Sequence, residues 1–260
     1  MSLLISQAKK ASLTTPGIWL RNNLGIRPVP YWVPTNVARM TCSDLFFWRS
    51  DDEFQTTFRF TDLPSVYYGL KESKVLLTFY DDRGNEIRRI NTVVGSTTTE
   101  FKVDQSVVGP DRAFGTFSIF HLSDDGNAKD LKVNNRCYVG YSYKNSLPSF
   151  VHGNLLAQFI DLDDDNLTVR HNIAKTALRT SRYFIQKSFT LPDRSELLFS
   201  NPSVRPIWIQ VGNEKKHVEP RGCVVFPLKE KGRIGVFSNL CFPRPVVFSY
   251  KNDFIDCHHG

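Results

Sequence analysis

The chain has 260 residues, 41% hydrophobic and 23% charged, with a formal net charge of +7. That length allows one large or two ordinary domains, and the composition excludes a disordered chain. No window approaches the ~18 apolar residues of a membrane-spanning helix, so no membrane partner is expected.

Twenty Phe, 9 Tyr and 4 Trp suit sheet faces better than helices, and 14 Pro with 15 Gly interrupt any long helical run. The basic residues are scattered without a run of five or six. They read as a solvated, mildly basic surface, and nucleic acid is not expected as a partner. The five cysteines form no CxxC pair and their count is odd. The opening residues contain no apolar core of signal length, so a reducing, cytoplasmic setting is expected.

In chain order, residues 1–35 read as an extended arm, with Pro28, Pro30 and Pro34 around Tyr31 and Trp32. Residues 36–155 read as a first β-sandwich. Within it "KVLLTFYDDRGNEI" is a strand, a Gly-Asn-Glu turn and a second strand. Val75, Leu77 and Phe79 alternate with Leu76, Thr78 and Tyr80, which makes both faces of that strand apolar, as in a central strand or an interdomain contact. Residues 156–180 read as a connector, with one short helix expected over 172–180. Residues 181–260 read as a second β-sandwich. There Ile207, Ile209 and Val211 alternate with Trp208 and Gln210, the pattern of one buried and one wet face.

The two units echo each other. "SYKNSLPSFVHG" at 142–153 and "SYKNDFIDCHHG" at 249–260 share six of twelve positions, 107 residues apart (249 minus 142). "RAFGTFS" matches "GRIGVFS" upstream, and the strand–turn–strand segments match before that. The extra residues of the first copy, "HLSDDGNAKDLKVNN", hold a hairpin signal at Asp125-Gly126. The fold class expected is all-β: two tandem, internally duplicated antiparallel β-sandwich domains, with the "SYKN" phrase as the closing strand of each.

The repeated His152 and His259, each before a glycine free to take positive φ, are the sharpest candidates for binding or proton transfer. With them stand Tyr143, Lys144, Asn145 and Asn154 in the first copy and Tyr250, Lys251 and Asn252 in the second. Trp208, Trp32 and Trp48 are candidate sugar platforms. Cys257 beside His258 resembles a catalytic pair only in one dimension. "DLDDDN" lacks the Gly and Glu of a calcium loop, and Lys175, Arg179 and Arg182 read as a solvated face. No metal, no cofactor and no catalytic residue is assigned.

The strands "LLFSNPSVRPIWIQV", "VEPRGCVVFPL" and "GVFSNLCFPRPVVFSYKNDFID" resemble the bacterial sensory-rhodopsin transducers. The matching residues are Ser200–Pro202, Glu219–Pro220, Ser238–Asn239 and Pro245–Val247. The resemblance covers about 60 residues of the 260 and implies a soluble, often oligomeric interaction or small-ligand module. The expected function is a non-catalytic binding protein for a carbohydrate or other polar ligand, possible also as a homo-oligomer. The alternatives are a His- or metal-dependent enzyme and a structural assembly subunit.

Overall fold

The computed structural model describes residues 37, 39–51, 53–70, 73–94, 97–122, 132–135, 137–153, 156–171, 181–185, 192–228, 234–240 and 244–260, with isolated positions at 7, 11, 14, 16, 17 and 20. The arm around Trp32, the Asp125-Gly126 turn, Asn154, Cys241 and the helix expected at 172–180 lie outside the described residues.

The strands are β1 (Met40–Ser43), β2 (Phe46–Arg49), β3 (Phe54–Thr61), β4 (Lys74–Asp81), β5 (Glu86–Val93), β6 (Thr98–Val103), β7 (Phe114–Leu122), β8 (Lys132–Asn135), β9 (Tyr138–Tyr143) and β10 (Ser149–His152). Then come β11 (Gln158–Asp161), β12 (Arg170–His171), β13 (Ser181–Ile185), β14 (Arg194–Ser200), β15 (Ile207–Val211), β16 (Glu214–Val218), β17 (Cys223–Leu228), β18 (Ile234–Ser238), β19 (Val246–Lys251) and β20 (Phe254–His259). Two short helices, Leu63–Tyr68 and Gln105–Val108, are capped by the carboxylates of Asp62 and Asp104. The protein is all-β, and among the described residues the pairings are antiparallel apart from β1 with β8. No helix among the described residues is long and apolar enough to cross a membrane.

Four sheets fall into two matching sets. The first half has the orders β2-β7-β4-β5 and β10-β9-β3-β6; the second has β13-β18-β15-β16 and β20-β19-β14-β17. Counting along the chain and skipping β8, every strand of one set has its counterpart in the other. β8 lies at the end of the segment by which the first copy is longer. It pairs with β1, β11 and β12 in a fifth sheet, β12-β11-β1-β8. Residues 156–180, read as a connector, therefore contain two of that sheet's strands.

The fifth sheet explains why β4 is apolar on both faces. Val75, Leu77 and Phe79 enter the main core, whereas Leu76 packs with Phe120, Leu122, Ile160 and Val169 on the other side. β4 is a central strand between β7 and β5, covered above and below. In β15 the alternation separates Ile207 and Ile209, which are buried, from half-buried Trp208.

The two halves use different faces of their matching sheets. In β3 the Phe58 ring lies 4.8 Å from Phe117 of β7, within the first unit. Its register counterpart in β14 is Leu198, because Phe58 pairs with Val139 and Leu198 with Val246, the same place one repeat later. Leu198 joins the same large core as Phe58, while its neighbours Leu197 and Phe199 pack with Ile207, Ile209 and Val236. The sheet carrying β14 is thus buried on both sides. One face meets its own partner sheet, and the other completes the first unit's core. Fusion of the two cores follows from side-chain parity along one strand.

Candidate functional site

The "SYKN" phrase is a hairpin in each copy rather than a strand. Lys144 (φ 50°) and Asn145 (φ 59°) turn the chain between β9 and β10, and Asn252 (φ 52°) turns it between β19 and β20. Asparagine tolerates the left-handed region, and Ser146 N–H closes the first turn on Tyr143 O at 2.9 Å.

The two hairpins lie against each other with equivalent residues in contact. Tyr141 meets Phe248 with ring centroids 4.7 Å apart, and Tyr143 meets Tyr250 at 5.5 Å, both edge-to-face. Ser149 Oγ bonds Asp256 Oδ1 at 3.2 Å, and the rings of His152 and His259 are 4.8 Å apart. Each of these pairs is separated by 107 residues, the offset of the repeat. Self-equivalent contacts of this kind are those of an isologous interface, here inside one chain. Lys144 Nζ reaches Asp253 Oδ1 across the tips at 3.0 Å.

The second strands of the hairpins are nevertheless out of step by one residue. Tyr141 pairs with Ser149 in the first, while its counterpart Phe248 pairs with Cys257, the counterpart of Phe150. A one-residue slip reverses every side chain on the strand. His152 therefore emerges on the outer face with Tyr138, whereas His259 turns inward with Val246. His152 is exposed, and its carbonyl accepts a hydrogen bond from His259 Nε2 at 2.7 Å. Burial lowers the His259 pKa to about 4, helped by the nearby charge of Arg244 and of His152. Gly153 does not use positive φ; a Cβ there would fall on the Asp44 carboxylate.

Most of the remaining candidates are engaged in holding the joint. The Tyr250 hydroxyl donates to Glu196 Oε2 at 2.7 Å and lies 3.1 Å from Arg49 Nη1. Burial raises its pKa, as does the Glu196 contact. The Arg49 guanidinium is clamped by Asp51 and Glu196 and sits 4.1 Å above the Phe54 ring. Lys251 pairs with Asp193 at 2.8 Å, and the Asn252 N–H donates to the same carboxylate. Trp208 lies on β15 opposite His217, with Lys215 Nζ 4.3 Å over its ring. Trp48 is fully buried, its Nε1 shared between Tyr80 O and Thr116 O.

The thiols among the described residues are buried and neutral. Cys257 shares its face with Phe248 and is pushed up to about 12 by burial, while His258 points to the opposite face with Val247. A neutral thiol is a poor nucleophile. Cys42, Cys137 and Cys223 are buried and raised in the same way. Of the acidic "DLDDDN" turn, Asp163 pairs with Arg39 and Asp164 with Arg170.

Two features beside the paired hairpins are open to a ligand. One is a cavity of about 40 Å³ between the units, room for roughly three waters. Its lining includes the buried Phe47, Tyr141 and Val246 together with His152, Arg244 and His259. The other is the outer face of the β10-β9-β3-β6 sheet. His152, Tyr138, Arg59 and Glu100 lie directly opposite one another across its four strands, with Phe150, Gly140, Thr57 and Lys102 in the next row. Tyr138 is 58% exposed. Arg59 Nε bonds Glu100 at 2.8 Å, and its guanidinium carbon lies 4.8 Å from the centre of the Phe150 ring. Phe150 lies over Gly140, where a Cβ would come within 2.6 Å of the ring.

Sequence reasoning singled out His152 from this face and missed Tyr138, Arg59, Glu100 and Lys102. The available signal was alternation: in "TFRFT" (57–61) and in "EFKV" (100–103) the polar residues share one parity. The pairing of strands that are distant in sequence assembles the row. Compared with protein-family models and with curated proteins, the chain matches neither. The described residues define an all-β protein of several antiparallel sheets, with an exposed aromatic-polar face on the β10-β9-β3-β6 sheet.

Proposed function

We propose that the chain is a non-catalytic recognition protein, a duplicated β-sandwich pair that binds a carbohydrate or sugar derivative. The ligand contacts the outer face of the β10-β9-β3-β6 sheet rather than the hairpin tips. The observation that carries this reading is the exposed row His152–Tyr138–Arg59–Glu100. A sugar ring stacks on an exposed tyrosine, while guanidinium, carboxylate and imidazole groups on either side take its hydroxyls. Resemblance of the C-terminal strands to the sensory-rhodopsin transducers points the same way, toward a small-ligand module. The hairpin residues Tyr143, Lys144, Tyr250 and Lys251 support the reading less, since each already has partners.

Calorimetric titration with a panel of neutral and acidic oligosaccharides tests it. Tyr138→Ala weakens binding about tenfold, the worth of one stacking contact, with stability unchanged to within about 0.5 kcal/mol. Lys144→Ala and Lys251→Ala leave the affinity as it was. Loss of binding in the lysine variants alone places the site at the tips, and no binding by the wild type removes the reading.

A second reading, an assembly subunit, draws on two exposed apolar residues at the hairpin tips. Leu147 is 85% and Phe254 64% exposed, and they stand at equivalent places of the repeat. Light scattering decides it: an oligomer that Leu147→Ser with Phe254→Ser converts to monomer supports assembly, and a monomeric wild type rejects it.

A further inference from the structure

The ladder between β4 and β7 ends at the pair Asp81 and Gly115, and beyond that rung the two chains part. β4 runs on into the turn 82–85, while the segment 111–113 leads into Phe114, which pairs with Arg49 of β2. Between the two stretches lies an open cleft of about 400 Å³, within the ~300–1,000 Å³ of small-ligand sites. Asp81, Asp82, Arg83 and Asn85 line it from the turn, and Asp111, Arg112 and Phe114 from the segment. None of these residues belongs to the sheet-face row or to the cavity between the units.

Both stretches are held in place by the rest of the molecule. Asp81 is committed to the turn: Oδ1 accepts from Arg83 N–H at 3.0 Å and Asn85 N–H at 2.8 Å, and Oδ2 from Asn85 Nδ2 at 3.0 Å. The second unit braces the turn from behind. Cys223 N–H donates to Asp82 O at 2.9 Å, and a Cβ at Gly84 would fall on the Pro220 carbonyl. Ser50 fixes the segment through two bonds of 2.8 Å, from its Oγ to Arg112 O and from its N–H to Ala113 O. The Arg112 guanidinium lies over Gly109, where a Cβ would fall on Nη1, and that nitrogen donates to Val108 O at 2.7 Å. Groups fixed in advance lose less freedom on binding.

The charges of the cleft do not neutralise one another. Among the described residues Asp82, Arg83, Asp111 and Arg112 form no ion pair, although both signs line the same opening. On the neighbouring strand β5 such groups do pair, Arg89 with Glu86 at 2.7 Å. Asn85 adds a side-chain oxygen, its Nδ2 being committed to Asp81. Strong acceptors and strong donors thus face one space. A lone ion satisfies one set and is opposed by the other. A hydroxyl donates and accepts at once, and suits both.

We propose that this cleft binds a neutral, hydroxyl-rich ligand, a single sugar ring or a cyclic polyol. Asp82, Asp111 and the Asn85 side-chain oxygen accept from its hydroxyls, while Arg83 and Arg112 donate to its oxygens. Phe114, partly buried against the main core, meets the apolar edge of the ring. The site does not rest on the sheet-face reading.

Amide NMR of the wild-type chain tests it, with glucose, galactose, mannose and myo-inositol as separate probes. At least one of them shifts the signals of residues 81–85 and 111–114 saturably. Asp82→Asn and Arg83→Gln each weaken that binding about tenfold, the worth of one hydrogen bond to a charged group. Both side chains are exposed, so the variants keep the wild-type stability. Tyr138→Ala leaves binding at the cleft unchanged. A wild type in which a probe moves the cleft signals alone removes the sheet-face reading and keeps this one. Three results overturn the proposal: no probe moves the cleft signals; glycine betaine moves them and no sugar does; or sugar binding is lost in Tyr138→Ala and retained in both cleft variants.

Discussion

The ring of Tyr141 meets that of Phe248 edge-to-face at 4.7 Å, and the two residues hold the same place in the two copies of the repeat. Both belong to one core that runs from Phe46 and Phe117 of the first unit to Leu198 and Ile255 of the second. A core shared in this way couples the units thermodynamically.

The units are therefore expected to unfold together. Phe248→Ala removes a fully buried ring and costs about 3–5 kcal/mol, and calorimetry shows one transition at lower temperature. Two resolved transitions, with only the second unit's shifted, contradict a common core.

Arg49 gives a second measure of the same coupling. Its guanidinium, 8% exposed at the side chain, bridges Asp51 in its own unit and Glu196 in the other. Arg49→Met strands the Glu196 carboxylate and costs about 3–5 kcal/mol. Arg49→Met combined with Glu196→Gln recovers a large part of that loss in urea unfolding. A double variant as unstable as the sum of the two singles means the pair is not coupled.

Two turn glycines separate backbone strain from packing. Gly84 and Gly212 both hold positive φ, at 84° and 57°. A Cβ at Gly212 meets open space, whereas one at Gly84 falls on the Pro220 carbonyl, in the other unit. Gly212→Ala costs about 1 kcal/mol from backbone conformation alone. Gly84→Ala costs more by the interunit overlap, and equal losses for both variants show that this turn does not touch the second unit.

Acid weakens the fold through buried imidazoles. His121 is completely buried, and burial lowers its pKa to about 4. The unfolded chain takes up the proton near pH 6.5, before the folded one does. Stability thus falls as the pH drops from about 6.5 to about 4, by roughly 3 kcal/mol for this residue, and levels off below. His259 acts in the same direction. Urea midpoints of wild type and His121→Leu at several pH values check it: the variant's midpoint changes less over that interval.

Local pattern carried much of the architecture. The alternation of Ile207 and Ile209 with Trp208, the two-faced apolar strand at Val75–Tyr80, and the echo between "SYKN" segments all depend on residues close in sequence. Short-range periodicity reports which side chains share a face, and that is what makes a strand visible before pairing is known.

What the tertiary structure alone decided is the role of each repeated residue. Equal phrases fold into hairpins of different register, since Lys144 and Asn145 turn the first while Asn252 turns the second. The slip sends His152 to the outer face and His259 inward. The row His152–Tyr138–Arg59–Glu100 draws on four strands spread from residue 54 to residue 152. Such a row exists only once long-range hydrogen bonding sets the register, and register is a property of paired strands, carried by neither strand alone.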